Sequence, residues 1–185
     1  MKEKIPFYNI VNMFFVGAVF SLCLAILLRN YIPIQWIKDN SELLSDWSIL
    51  ISSVLLGAMY ELGFIINRMG SIIISPIYQV VKLWPKGKYG IDVSELAQVN
   101  PRFQSLITEL NLMRSHIMMC ILLLVVSVIL RERIWIISLL LLIVIFTFEG
   151  KKHNEKINIM RADFAQRKSN AKQEVQNIAE YLANN

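Results

Sequence analysis

The chain has 185 residues, 55% of them hydrophobic and 18% charged, with a formal net charge of +5 and a mean hydropathy of +0.49. Soluble domains use roughly 45–50% apolar and about 25% charged residues, so this composition excludes an ordinary soluble domain. It points to an all-α polytopic membrane protein, and the search is then for apolar runs of about 20 residues, the length that crosses the hydrocarbon core.

A first span is expected over 7–28, FYNIVNMFFVGAVFSLCLAILL, closed by Arg29. It is too long for the apolar region of a cleaved signal peptide and no small-residue cleavage site follows, so it reads as retained. Ser21, Leu22 and Cys23 match a lipoprotein cleavage box only loosely, because the apolar run continues past the cysteine. A second span, 47–66, opens on Trp47, which suits the headgroup level, and carries Glu61 as its only charge. Asn67 and Arg68 mark where this helix leaves the hydrocarbon, yet the chain stays apolar through SIIISPIYQVVKLW until WPKGKYG interrupts it with a turn. A helix over 47–75 would be about 43 Å long, so its distal part projects outside the bilayer. There it begins a helical stalk or loop over 67–115, either lying in the interface with Tyr78, Lys82 and Trp84 at headgroup level or packing on other helices.

Asn100 followed by Pro101 is a helix start, a capping side chain before a residue that lacks the N–H a first turn cannot satisfy. No Gly or Pro interrupts the chain from there to Leu130, so the stalk helix is expected to run unbroken into a third span, 116–130. Pairing with the helix that leaves span two would cover Ile72, Ile73 and Ile74 with Phe103, Leu106, Ile107 and Leu110. Arg131, Glu132 and Arg133 precede a fourth span, 134–148. One helix through both runs would be about 50 Å long with charges at bilayer depth, so a hairpin is expected. Each arm has about 15 apolar residues, near 22 Å, which arginine snorkelling or local thinning must reconcile with a core of about 30 Å.

With four spans, both termini share one side with the 67–115 connection, and fifteen of the nineteen Lys and Arg fall there. The positive-inside rule then puts both termini of this multi-pass chain in the cytoplasm. A three-span arrangement would export the basic tail. Attraction to anionic membrane lipids accounts for the excess charge. The basic residues are spread over three segments rather than one helix face, so no direct nucleic-acid partner is expected. Cys23 and Cys120 fall inside spans and read as packing residues.

The cytoplasmic helical tail, 149–185, carries Ile157, Phe164, Ala171 and Ile178 at intervals of seven, with Met160, Val175 and Leu182 beside them. Such a seam in a charged helix asks for a partner surface. It would dock on the stalk of its own chain, associate with further copies, or bind a soluble cytoplasmic protein. Arg161 and Lys168 at the alternate seam positions weaken a coiled-coil reading.

The sequence offers little chemistry. His116 and Cys120 share a helix face, but zinc needs three or four protein ligands and no second pair exists. No nucleophile elbow, HExxH or phosphate-binding glycine loop is present, so no enzyme activity, metal or cofactor is expected. Glu61 is the ionisable residue at depth, on a stripe with Ser53, Gly57, Phe64 and Arg68 whose small members admit another helix. It would line a pore or act as a proton-sensitive switch. Alternatively, it would fix helix register by pairing with Asn9, Asn12, Arg68 or His116.

The segment LGFIINRMGSIIISPIY, Leu62 to Tyr78, followed by a long connection, a late membrane hairpin and a polar helical tail, is a layout that resembles the small four-span membrane proteins of bacterial anti-phage defence operons. Among these it resembles the membrane subunit of the Kiwa system, which pairs an oligomeric four-span protein with a soluble DNA-associated effector. The resemblance lies in layout over the whole chain and assigns no residue a role. It implies a homo-oligomeric inner-membrane sensor whose stalk and tail hold a soluble partner.

Overall fold

The computed structural model describes residues 7–84, 96 and 100–183. The turn beyond Trp84, Lys2, Lys4 and the side chains of Asn9 and Leu182 lie outside the described residues. Every element described is helical: α1 (Phe7–Leu27), two short helices α2 (Ile34–Asp39) and α3 (Ser41–Asp46), α4 (Ser48–Met69), a π-helical turn (Gly70–Ile74), α5 (Ser75–Val80), α6 (Pro101–Ile129) and α7 (Arg133–Ala183). Four of these stretches are long and apolar enough to cross a membrane: α1, the run from Ser48 to Val80, α6 and α7. The protein is an all-α polytopic membrane protein.

Local chemistry explains the boundaries. Asn100 caps α6 as its sequence position indicates, its Oδ1 accepting from the backbone N–H of Arg102 at 3.1 Å and of Phe103 at 3.3 Å. Pro101 occupies the first turn, where its missing N–H costs nothing. At the other end, Arg131 adopts a left-handed backbone with φ of 59°. The Glu132 N–H then reaches back to the Ser127 carbonyl at 3.0 Å and the Arg131 N–H to that of Val128 at 3.2 Å, the Schellman arrangement that usually employs glycine. The turn separates two antiparallel arms, so the charged triplet ends the membrane run as a hairpin. In the α4–α5 run, Pro76 has no N–H to give to the turn before it, and the wider π turn over Gly70–Ile74 absorbs the mismatch.

The helices pack in a row, with α4 on α1, α1 on α6, and α6 on α7; α6 also meets α4 and the π turn. Its residues Ile117, Cys120 and Leu123 form the middle of the core with Val16 and Ile66. Gly17 and Gly63 bring α1 and α4 together backbone to backbone: a Cβ at Gly17 would overlap the Met59 carbonyl oxygen, and one at Gly63 that of Met13. Without a hydrophobic drive between helices in lipid, such close approach supplies the van der Waals contact that holds a pair.

One expectation changes. The expected cover over Ile72, Ile73 and Ile74 reaches only Ile74, which is buried against the core, while Ile72 and Ile73 are exposed. Much of the α6 surface packs on α7 instead, with Arg161 of α7 5.9 Å from the Phe103 ring. The fourth span and the tail are one uninterrupted helix of 51 residues, about 76 Å long. Gly150 does not break it, because the Trp84 ring rests there: a Cβ at Gly150 would overlap Cζ2 of the indole.

Candidate functional site

Glu61 sits on α4 seven residues before Arg68, about 10 Å along the helix, and is exposed, as are Gly57 and Ser53 about one and two turns earlier on its stripe. Gly57 faces open space, with nothing within 4 Å of where its Cβ would stand. Ser53 folds its hydroxyl back onto the Ile49 carbonyl at 2.8 Å, leaving no group directed outward. The small-residue stripe legible in the sequence is therefore on the outside of the bundle. The glycines that join helices within the chain, Gly17 and Gly63, lie elsewhere.

The candidate partners of Glu61 whose side chains are described lie elsewhere. Arg68 is exposed and stacks its guanidinium over Phe64, 5.0 Å from the ring centroid. His116 faces α7, with Nδ1 2.8 Å from the Leu112 carbonyl and its ring 4.9 Å from that of Phe146. Asn12 lines a small cavity between α1, α4 and α6, and the side chain of Asn9 lies outside the described residues. Among the described residues Glu61 makes no ion pair or hydrogen bond with Arg68, His116 or Asn12.

The tail seam divides in two. Ile157 is buried, and Met160 and Phe164 pack on the core, so these three positions already have their partner in α6. Beyond them α7 continues from 165 to Ala183, about 28 Å, past the start of α6. Val175 and Ile178 are 68% and 60% exposed there, and they carry the apolar face onward at the surface of the helix.

Two inter-helix links were not read from the sequence. His153, 8% exposed, sets Nε2 2.7 Å from Oε2 of Glu109 on α6 and Nδ1 2.9 Å from the Glu149 carbonyl. The signal was available: residues 153, 157, 160 and 164 form one helical stripe, so His153 belongs to the packed face rather than to the charged run around it. The second is an aromatic latch. Lys82, at φ 57°, turns the chain after α5 so that the Trp84 N–H meets the Tyr78 carbonyl at 3.0 Å. The Trp84 indole N–H donates to the Thr147 carbonyl at 3.3 Å, the Tyr78 hydroxyl lies 2.8 Å from Thr147 Oγ1, and the Tyr78 and Trp84 rings meet edge to face at 4.8 Å.

Chemically this is a set of contacts and surfaces. Cys23 and Cys120 are free thiols, and among the described residues no three His, Cys, Asp or Glu side chains converge as a metal ion would require. No protein-family model, curated protein or solved structure gives a significant match to the chain.

Proposed function

We propose that this chain is a non-enzymatic, homo-oligomeric inner-membrane scaffold or sensor with both termini in the cytoplasm, whose projecting tail recruits a soluble cytoplasmic protein. The observation that carries the reading is the outward-facing Glu61 in an apolar span. A lone carboxylate against acyl chains is costly, and such groups face bundle interiors, partners or water. A further copy covering the Ser53, Gly57 and Glu61 face removes that cost, and the small side chains permit close approach. The exposed Val175 and Ile178 face supplies a second surface, for a soluble protein rather than lipid, because α7 is far longer than a span and would carry it beyond the bilayer. Resemblance in layout to four-span proteins of anti-phage defence operons gives the assembly a biological setting.

Native mass measurement of the detergent-extracted chain tests the first part: several copies are expected, and Gly57→Leu should shift the distribution toward monomer. A monomeric native protein overturns it. For the second part, removing 169–185 should abolish copurification of a soluble protein from the native host while leaving the oligomer intact, and unchanged copurification refutes the tail as the recruiting surface.

The same observation favours one other reading, a pore-forming subunit that perturbs membrane gradients. Copies arranged with this face inward would ring an axis with carboxylates, as cation pathways require. Glu61→Gln should then reduce conductance in planar bilayers without altering native mass. Identical currents for the two proteins would remove the reading's basis.

A further inference from the structure

We propose that the partly open cavity between α1, α4 and α6 beside Arg114 is a water-binding site built from carboxamides, a hydrated seam between the α1–α4 hairpin and α6. The cavity measures about 60 Å³. A single water needs about 10–15 Å³ measured this way and two to four polar partners, so volume and lining together decide whether such a space is wet.

The lining is part polar and part apolar and lacks charge: Asn12, Asn67, Thr108, Asn111 and Ser115 bring polar groups to the space, and Met13, Val16, Gly63 and Leu112 supply its apolar wall. Arg114 Nη1 donates to Asn111 Oδ1 at 3.0 Å. A guanidinium only donates, so this contact fixes the amide's orientation and leaves the Asn111 NH₂ group to find acceptors elsewhere. The Asn12 carboxamide has no hydrogen-bond partner among the described residues. Ser115 Oγ lies 2.8 Å from Asn67 Oδ1 and 3.0 Å from the Asn111 carbonyl, two acceptors for one hydroxyl proton. Thr108 gives its proton to the Gln104 carbonyl at 3.0 Å and keeps its lone pairs available.

Donors and acceptors that lack a protein partner at a membrane boundary cost as much as lost hydrogen bonds unless water reaches them. Water both donates and accepts, and it fits. An ion fits poorly, because no charged side chain lines the space and its far wall is apolar. This inference stands independently of oligomeric state and of any soluble partner.

The test uses the full chain with Cys23 and Cys120 replaced by alanine and single cysteines introduced as Asn67→Cys, Asn111→Cys, Leu123→Cys and Gln173→Cys. Silver ion, small and confined to water, is applied before denaturation, and the thiols left unblocked are counted with a fluorescent maleimide. Cysteines at 67 and 111 should be blocked at rates comparable to that at 173. They should also react at least about tenfold faster than the one at 123, the ratio expected when the buried site must first open at a cost of ~1.4 kcal/mol. Rates at 67 and 111 equal to that at 123 overturn the proposal. Water-to-amide magnetisation transfer on the unsubstituted, asparagine-labelled chain answers the same question without disturbing the seam. Cross-peaks of the sign given by long-lived water are expected at the Asn67 and Asn111 amides, identified by their loss in Asn→Ser variants, and their absence refutes it.

Discussion

Arg131 holds a backbone conformation in which its Cβ crowds the following carbonyl, a strain glycine would not feel. Arg131→Gly should therefore stabilise the hairpin by about 1 kcal/mol, seen as a higher thermal midpoint in detergent; a lower midpoint would mean that the arginine's interfacial charge outweighs the backbone term. His153 poses the opposite case. Its ring contacts the Glu109 carboxylate across two helices with little solvent access, and hydrogen bonds to charged groups are worth about 1.5–3 kcal/mol. His153→Ala should destabilise the chain by that order and loosen α7 from α6, which protease susceptibility between 150 and 165 would report. Glu61 differs from both: it is exposed and makes no hydrogen bond or ion pair among the described residues, so Glu61→Gln should leave monomer stability unchanged and alter only what copies do together.

Among elements, two glycines that look alike in sequence have opposite environments. Gly63 has the Met13 carbonyl where a side chain would go, whereas Gly57 has open space. Gly63→Leu must force α1 from α4, at about 1–3 kcal/mol or more for overpacking, while Gly57→Leu should fold as the parent does. Equal loss of folded protein from both would contradict the packing of α1 on α4. The latch behaves similarly. Trp84 is 2% exposed in a seat that exists because residue 150 lacks a side chain. Trp84→Ala should cost about 3–5 kcal/mol, and Gly150→Val should expel the indole, giving a red shift in tryptophan emission. These sites tie the chain leaving α4 to α7, so the long helix is held around Thr147 and Gly150 by a segment remote in sequence.

For the whole molecule, the division of α7 into a packed and a free part makes truncation informative. Removing 169–185 takes away an exposed helix end and should leave the thermal midpoint nearly unchanged. Removing 157–185 also deletes Ile157, Met160 and Phe164, strips α6 of its cover, and should lower the midpoint by many degrees. Equal midpoints for the two truncations would show that the α6–α7 stalk contributes no stability.

The membrane class, four crossings, the capped start of α6 and the break at Arg131 to Arg133 were all legible because each is local. They depend on apolar run length, a cap with its proline, and the cost of charge in hydrocarbon. Residues able to face another helix could also be recognised: the tail stripe and the Glu61 stripe both follow from helical periodicity alone. Which stripe finds a partner inside the chain was decided only by tertiary packing. A spacing of small residues is the same whether a helix, lipid or another copy lies opposite, and Gly63 took the partner that Gly57 was expected to have. The latch, the His153 contact and the carboxamide cavity likewise bring together residues from separate helices. Their positions depend on the crossing of α1, α4, α6 and α7, which no local pattern encodes.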